Sequence, residues 1–216
     1  RAVGIDFDTP AREGQPSTAR CLIFVTPDGE RTMNTFLGAS QFLPPAALDD
    51  ELIASAGILY LEGYLWDPEE PRSAMRRAIE VARNAGRKVA FTASESFVID
   101  RHGDDFRALI ADGLIDILFA NEVELAAITG KDDFDAGIAA LKDQVPTLVV
   151  TRSEKGMTLL RDGQPVRFTA TGQIDNIELT VGTHPGDLVS TGNRAGTVSN
   201  PVLPAVFQQS RHAVCG

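Results

Sequence analysis

The spacing of apolar residues along the chain changes near position 43. Before it, short runs alternate or are rich in β-branched residues. Arg20-Cys21-Leu22-Ile23-Phe24-Val25-Thr26 reads as a strand, and Pro27-Asp28-Gly29-Glu30 as a turn with proline second and glycine third. Arg31-Thr32-Met33-Asn34-Thr35-Phe36-Leu37 reads as the returning strand, and Ala2 to Phe7 as an earlier one. Residues 2–8 and 20–37 are therefore expected to form a small sheet of their own, projecting from the rest. After position 43, helical and strand-like runs take turns. The pattern predicts helices over 48–56, 71–87, 104–111, 122–128 and 134–142, and strands over 57–61, 88–92, 115–120 and 147–151. In the second helix Met75, Ile79 and Ala82 share a face, and Gly86 stands near its end.

This alternation implies an α/β fold: a mainly parallel, doubly wound sheet with helices on both faces, beside the small separate β sheet. Ligands of such sheets bind at the carboxyl ends of the strands. Two more β segments, 157–161 and 165–170, are joined by Asp162-Gly163. Beyond Gly172 the pattern is lost. Gly192, Gly196, Pro201 and Pro204 interrupt any helix there. The division that follows is a β-rich segment over 1–40 and an α/β domain over 41–216, to which the resemblance described below assigns nucleotide binding.

Composition narrows the function classes. The 216 residues suffice for one α/β domain with a sizeable core. With a formal net charge of -10, the chain would add to phosphate repulsion along a nucleic acid, so no nucleic-acid partner is expected. A local pocket for one phosphorylated ligand remains allowed. Cys21 and Cys215 have no metal-ligand spacing, so no zinc site is expected, and their scarcity points to a reducing, cytoplasmic setting. No apolar run approaches the ~20 residues that span a bilayer, and no signal peptide is read at the start. Residue 1 is Arg and the first strand has already begun there, so the chain is read as part of a longer product.

Three segments then resemble, in order and spacing, the ribokinase-like (PfkB) carbohydrate and nucleoside kinases, and within them the bacterial adenosine-kinase-like branch. They are Thr26-Pro27-Asp28-Gly29-Glu30-Arg31-Thr32-Met33 with Leu37-Gly38-Ala39, Leu61-Glu62-Gly63-Tyr64-Leu65, and Phe119-Ala120-Asn121-Glu122-Val123-Glu124 followed by Val150-Thr151-Arg152-Ser153-Glu154-Lys155-Gly156. The resemblance implies an ATP-dependent kinase acting on a primary hydroxyl of a sugar or nucleoside, adenosine first and ribose or fructose next. It implies that Asn121 and Glu124, matching an N-x-x-E motif, organise magnesium through water, and that Thr151, Ser153 and Gly156 lie along ATP. It implies a lid over the sugar from residues 1–40, with a homodimer through the lid sheet as a further expectation.

The chemistry suits those roles, because phosphoryl transfer needs positioning and charge neutralisation, and magnesium prefers oxygen ligands and retained water. Asn121 and Glu124 are equally what a helix start requires: an N-cap residue with a glutamate three places on. The two roles are compatible. Arg152, Glu154 and Lys155 read as a solvated turn.

The family pattern is incomplete. Its early substrate-binding aspartate and Gly-Gly motif are not found. Where its Asp-Thr-Thr-Gly-Ala-Gly-Asp signature is expected, the chain reads Val181-Gly182-Thr183-His184-Pro185-Gly186-Asp187. In that register Asp187 is the catalytic base, and Gly186 belongs to the anion hole for the transferring phosphoryl group. Pro185 removes a backbone donor there and His184 adds a Cβ. A non-catalytic nucleotide-binding remnant is therefore the rival expectation, and an ordinary α/β domain whose β-rich start is a dimer interface is the third.

Overall fold

The computed structural model describes residue 9 and residues 13–28, 31–171, 178–181 and 190–191. β1 (Arg20–Val25) and β2 (Arg31–Phe36) pair antiparallel, with Arg20 opposite Phe36 and Val25 opposite Arg31, and they form a two-stranded sheet apart from the main one. The separate β-rich ribbon expected from the sequence is present, while its proposed strand over residues 2–8 lies outside the described residues.

The main sheet has eight strands. β3 (Ile58–Glu62), β4 (Lys88–Thr92), β5 (Ile117–Asn121) and β6 (Thr147–Thr151) run parallel side by side in chain order. β7 (Met157–Arg161), β8 (Gln164–Thr171), β9 (Glu178–Val181) and β10 (Ser190–Thr191) continue from β6 with antiparallel pairing. All four runs predicted as parallel neighbours are parallel neighbours. The connections carry α1 (Asp50–Ser55), α2 (Glu69–Asn84), α3 (Ser96–Ala111), α4 (Glu122–Thr129) and α5 (Phe134–Leu141).

Local chemistry sets the helix ends. The side chains of Asp49 and Asp133 cap α1 and α5 by accepting from the Leu52 and Ala136 amides at 2.9 and 2.8 Å. Gly130 ends α4 at φ 65°, a left-handed conformation that glycine adopts without a steric penalty. α3 begins earlier than its sequence suggests. Val98 and Ile99, β-branched and poor in helix propensity, are buried in the core, so packing overrides propensity. The helix kinks at His102 (φ -125°, ψ 19°), where Nε2 lies 3.1 Å from the Asp67 carboxylate and Nδ1 3.4 Å from the Arg72 guanidinium.

One continuous core holds these elements together. Leu61, Phe91, Leu118, Ala120, Leu148 and Val150 project from one face of β3–β6 and meet Met75 and Ile79 of α2, Phe106 and Leu109 of α3, Leu125 and Ile128 of α4, and Ile138 of α5. Trp66, fully buried, packs edge-on to Phe91 and Phe106 at centroid distances of 6.0 and 5.7 Å and donates its Nε1–H to Asp105 at 2.9 Å. Each crossover from β3 to β6 steps the same way along the sheet, so right-handed connections place all the crossover helices over this face. The opposite face carries Tyr60, Ile117 and Phe119, only partly buried. Helical cover for that second face is not supplied by the described residues.

The turn after β3 must lie against the end of β4. A Cβ on Gly63 would stand 2.6 Å from both the Thr92 and Ala93 carbonyl oxygens. Gly63→Ala is expected to destabilise the full-length protein by about 1–3 kcal/mol, the usual cost of overpacking. The measurement is the midpoint of chemical unfolding at unchanged slope. An unchanged midpoint would mean that the two strand ends can separate at no cost.

Candidate nucleotide site

Register brings the carboxyl ends of β4, β5 and β6 to one edge, with Thr92 beside Phe119 and Asn121 beside Thr151. α4 follows β5 without a linker. Asn121 is both the last residue of the strand and the N-cap of the helix, with extended backbone (φ -99°, ψ -179°). Its Oδ1 accepts from the Glu124 amide at 2.8 Å, and Glu124 answers by accepting from the Asn121 amide at 2.9 Å. The Asn121 side-chain amide adds a third bond, Nδ2–H to Glu124 Oε1, at 2.8 Å. Glu124 is 6 % exposed. Burial pushes its carboxyl up from the ordinary glutamate range; the Asn121 backbone N–H draws it partly back, and the Glu95 carboxylate raises it further.

A cleft of about 250 Å³ opens at this edge. Hydroxyls of Thr92, Ser94 and Thr151 line it with Asn121 and Glu124, between apolar walls that include Phe119 and Val149. Among the described residues, none that lines it is basic. From these residues a polyanion beside Glu124 would meet negative charge and neutral dipoles, a setting that suits a divalent cation between the carboxylate and a phosphate. The donor set is hard oxygen, as magnesium requires. Both carboxylate oxygens already accept from Asn121, which leaves lone pairs for the waters of a hydrated ion. Asn121 and Glu124 thus fit an outer-sphere role.

β6 runs into a tight turn over residues 152–156. The Arg152 amide donates to the Gly156 carbonyl at 2.8 Å, and the Gly156 amide to the Ser153 carbonyl at 3.0 Å. Ser153 sits at φ 48° and Gly156 at φ 88°.

The expected site residues divide three ways. Asn121, Glu124 and Thr151 share the cleft. Ser153 and Gly156 stand in the adjoining turn and do not line it. Gly186 and Asp187 lie outside the described residues. Sequence reasoning missed Thr92 and Ser94, although the strand over 88–92 was recognised and ligands favour strand carboxyl ends. Ser94 holds a left-handed φ of 66° at that end. Arg152, read as part of a solvated turn, is instead mostly buried against Glu122 and Phe134. A larger groove, about 310 Å³, lies between α2 and α3 over Ile79, Leu109 and Leu114. Its Arg76 and Arg83 are each paired at 2.7 Å with Asp105 and Asp116, so it offers phosphate no uncompensated charge.

Comparison with known proteins places the chain in a family. The pfkB family carbohydrate kinase profile matches residues 1–183, and the chain belongs to that family. The crystal structure of adenosine kinase from Sinorhizobium meliloti is 41% identical, with a TM-score of 0.75 over 80% of this chain and 53% of that one. Fructokinase-2 of Solanum lycopersicum is 28% identical over 162 residues, 72% of this chain and 48% of its own length. The guanosine-inosine kinase of Escherichia coli K12 is 32% identical over 117 residues, 53% of this chain and 27% of its own. The chain spans about half the length, or less, of these relatives.

The elevated Glu124 carboxyl makes stability depend on pH with a definite sign. Its folded pKa lies above its unfolded one, so the ionised form carries a folding penalty at neutral pH that is relieved as pH falls through the folded value. Glu124→Gln keeps an acceptor for the Asn121 amide, as capping boxes allow, and does not titrate. Wild type should therefore gain stability relative to Glu124→Gln as pH falls from neutral to mildly acidic, measured by denaturant unfolding across that range. A difference independent of pH would mean that Glu124 is solvated as an ordinary glutamate.

Proposed function

We propose that this chain is the nucleotide-binding part of an ATP-dependent kinase that phosphorylates a primary hydroxyl of a sugar or nucleoside, with adenosine the first candidate and ribose-like sugars next. The observation that carries the reading is the cleft at the β4–β6 carboxyl ends, where a buried carboxylate–amide pair stands beside hydroxyl residues with no basic side chain among the described residues, in a chain of the pfkB family.

Asn121 and Glu124 would order the water shell of magnesium. Thr151, Ser153 and Gly156 would lie along ATP, the left-handed turn keeping side chains away from the nucleotide. When bound, magnesium would neutralise charge on the phosphates. Asp187 would take the proton of the acceptor hydroxyl, whose oxygen attacks the γ-phosphorus as the bond to the β-phosphate oxygen breaks and ADP leaves. The Gly186 amide would contribute to the anion hole.

Residues 1–40 would act as a lid and 41–216 as the α/β domain. The ribbon exposes Leu22, Phe24 and Phe36 on one side and Ile23, Val25 and Met33 on the other. One side would close over the substrate and the other would meet a second copy in a homodimer. The setting that fits a small-molecule kinase of this kind is the cytoplasm; among the described residues no helix is long and apolar enough to cross a membrane. A second reading, a nucleotide-binding remnant without turnover, is favoured by His184-Pro185 standing within the expected glycine-rich signature.

In the full-length protein Asp187→Asn should lower kcat by about 10²–10⁴-fold, the usual contribution of a general base, and leave ATP binding nearly intact. The assay is coupled ADP release with adenosine, ribose and fructose, beside calorimetric titration of ATP. ATP binding without turnover in wild type would favour the remnant, and equal turnover in both proteins would place the base elsewhere. Glu124→Gln should raise the magnesium concentration needed for half-maximal rate; an unchanged magnesium curve would leave Glu124 with its capping role alone.

A further inference from the structure

The turn over residues 152–156 combines two left-handed residues, Ser153 and Gly156, and one of them is not glycine. Such a backbone persists where its surroundings over-determine it. Here backbone hydrogen bonds close the turn, and the side chain of Arg152 anchors it to the rest of the fold. Its Nε and Nη2 both reach Glu122 Oε1 at 2.9 Å, and its guanidinium lies over the Phe134 ring, 3.7 Å from the centroid. Lys155 approaches the same carboxylate oxygen at 3.7 Å. The Arg152 side chain is 22% exposed, that of Lys155 57%, so the arginine is the built contact and the lysine a peripheral one. Glu122 follows Asn121 directly, and Phe134 opens α5. Arg152 therefore ties together the first turn of α4, the start of α5 and the turn after β6.

We propose that Arg152 is a positioning residue, which clamps the Thr151–Gly156 turn to the Asn121–Glu124 helix start so that both nucleotide-contacting segments hold one geometry. The inference rests on the kinase reading above. Arginine is suited to this and lysine is not, because only the planar guanidinium can present two N–H groups to a carboxylate while stacking on a ring. The clamp acts on the ground-state seat of ATP and not on the reacting hydroxyl. Its loss should therefore appear in nucleotide affinity more than in kcat.

The test uses the full-length protein with MgATP and two readouts. Arg152→Ala should weaken MgATP binding by calorimetry, and raise its KM, by about tenfold, the equivalent of one charge-assisted hydrogen bond, with kcat changed far less. Arg152→Lys should fall between the two proteins. Glu122→Gln should reproduce the loss, and the double variant should be no worse than either single one, since both remove the same contact. Without nucleotide, amide hydrogen exchange over 152–156 should quicken in Arg152→Ala while β6 stays protected. Unchanged exchange and affinity, additive losses, or a fall confined to kcat would overturn the clamp. Failure of wild type to bind ATP would overturn the kinase reading and the nucleotide role of Arg152 with it, even where exchange in the turn responds.

Discussion

Glu124 is a carboxylate buried at a strand end, and much else follows from what holds it there. Burying an ionised group is costly unless hydrogen bonds replace water. Two bonds come from Asn121, one from its backbone and one from its side chain, and the N-terminus of α4 adds a favourable dipole. Asn121 is at the same time paired to Thr151 through the sheet. One residue pair thus ends β5, starts α4 and fixes a negative charge at the mouth of the cleft. Capping and the proposed ligand chemistry would be two uses of one arrangement: a carboxylate immobilised at the helix start would also be held still for a hydrated cation.

The same economy leaves two apolar surfaces less fully satisfied. The core is built on one face of the sheet, where β3–β6 meet α2–α5. On the other face Tyr60 and Phe119 pack edge to face, 6.4 Å apart, yet both remain partly exposed. The β1–β2 ribbon is apolar on both sides and every one of its positions is exposed. A two-stranded ribbon is marginal in water by itself, and exposed apolar area of this kind marks contact surfaces. On the proposed reading, a lid that closed on a small molecule and also met a second chain would use both sides.

Much of this was legible in the sequence, and the parts that were not share a cause. The strands over 88–92 and 147–151 were recognised to the residue because their Val, Phe and Thr content is strand-like without ambiguity. That β3–β6 share a mainly parallel sheet followed from alternation; their side-by-side order came with the fold. β5 ends a residue later than expected because Asn121 keeps its ladder partner while capping the helix. The first part of α3 was missed because Phe97-Val98-Ile99 has no helical signature until the sheet buries two of the three. The environment of Trp66 was equally hidden, since Phe91 and Phe106 come from other elements. Arg152 looked like a solvated turn residue for the same reason: Glu122 and Phe134 are distant in sequence and adjacent only in the fold. Local pattern shows which elements form. It does not show which charges find partners across them.

That distinction bears on how an acidic chain could hold a nucleotide at all. At net charge -10, long-range electrostatics oppose a polyphosphate. The nearest basic side chain in the turn beside the cleft, Arg152, is committed to Glu122, and Lys155 shares that carboxylate. On the kinase reading, compensating charge would arrive with the nucleotide. Free ATP would meet an uncompensated Glu124, whereas its magnesium complex would bring the cation whose waters that carboxylate can accept. Among the described residues the cleft has no basic side chain, and on that reading it would favour the magnesium complex over the free nucleotide and leave transfer to residues that touch the acceptor hydroxyl.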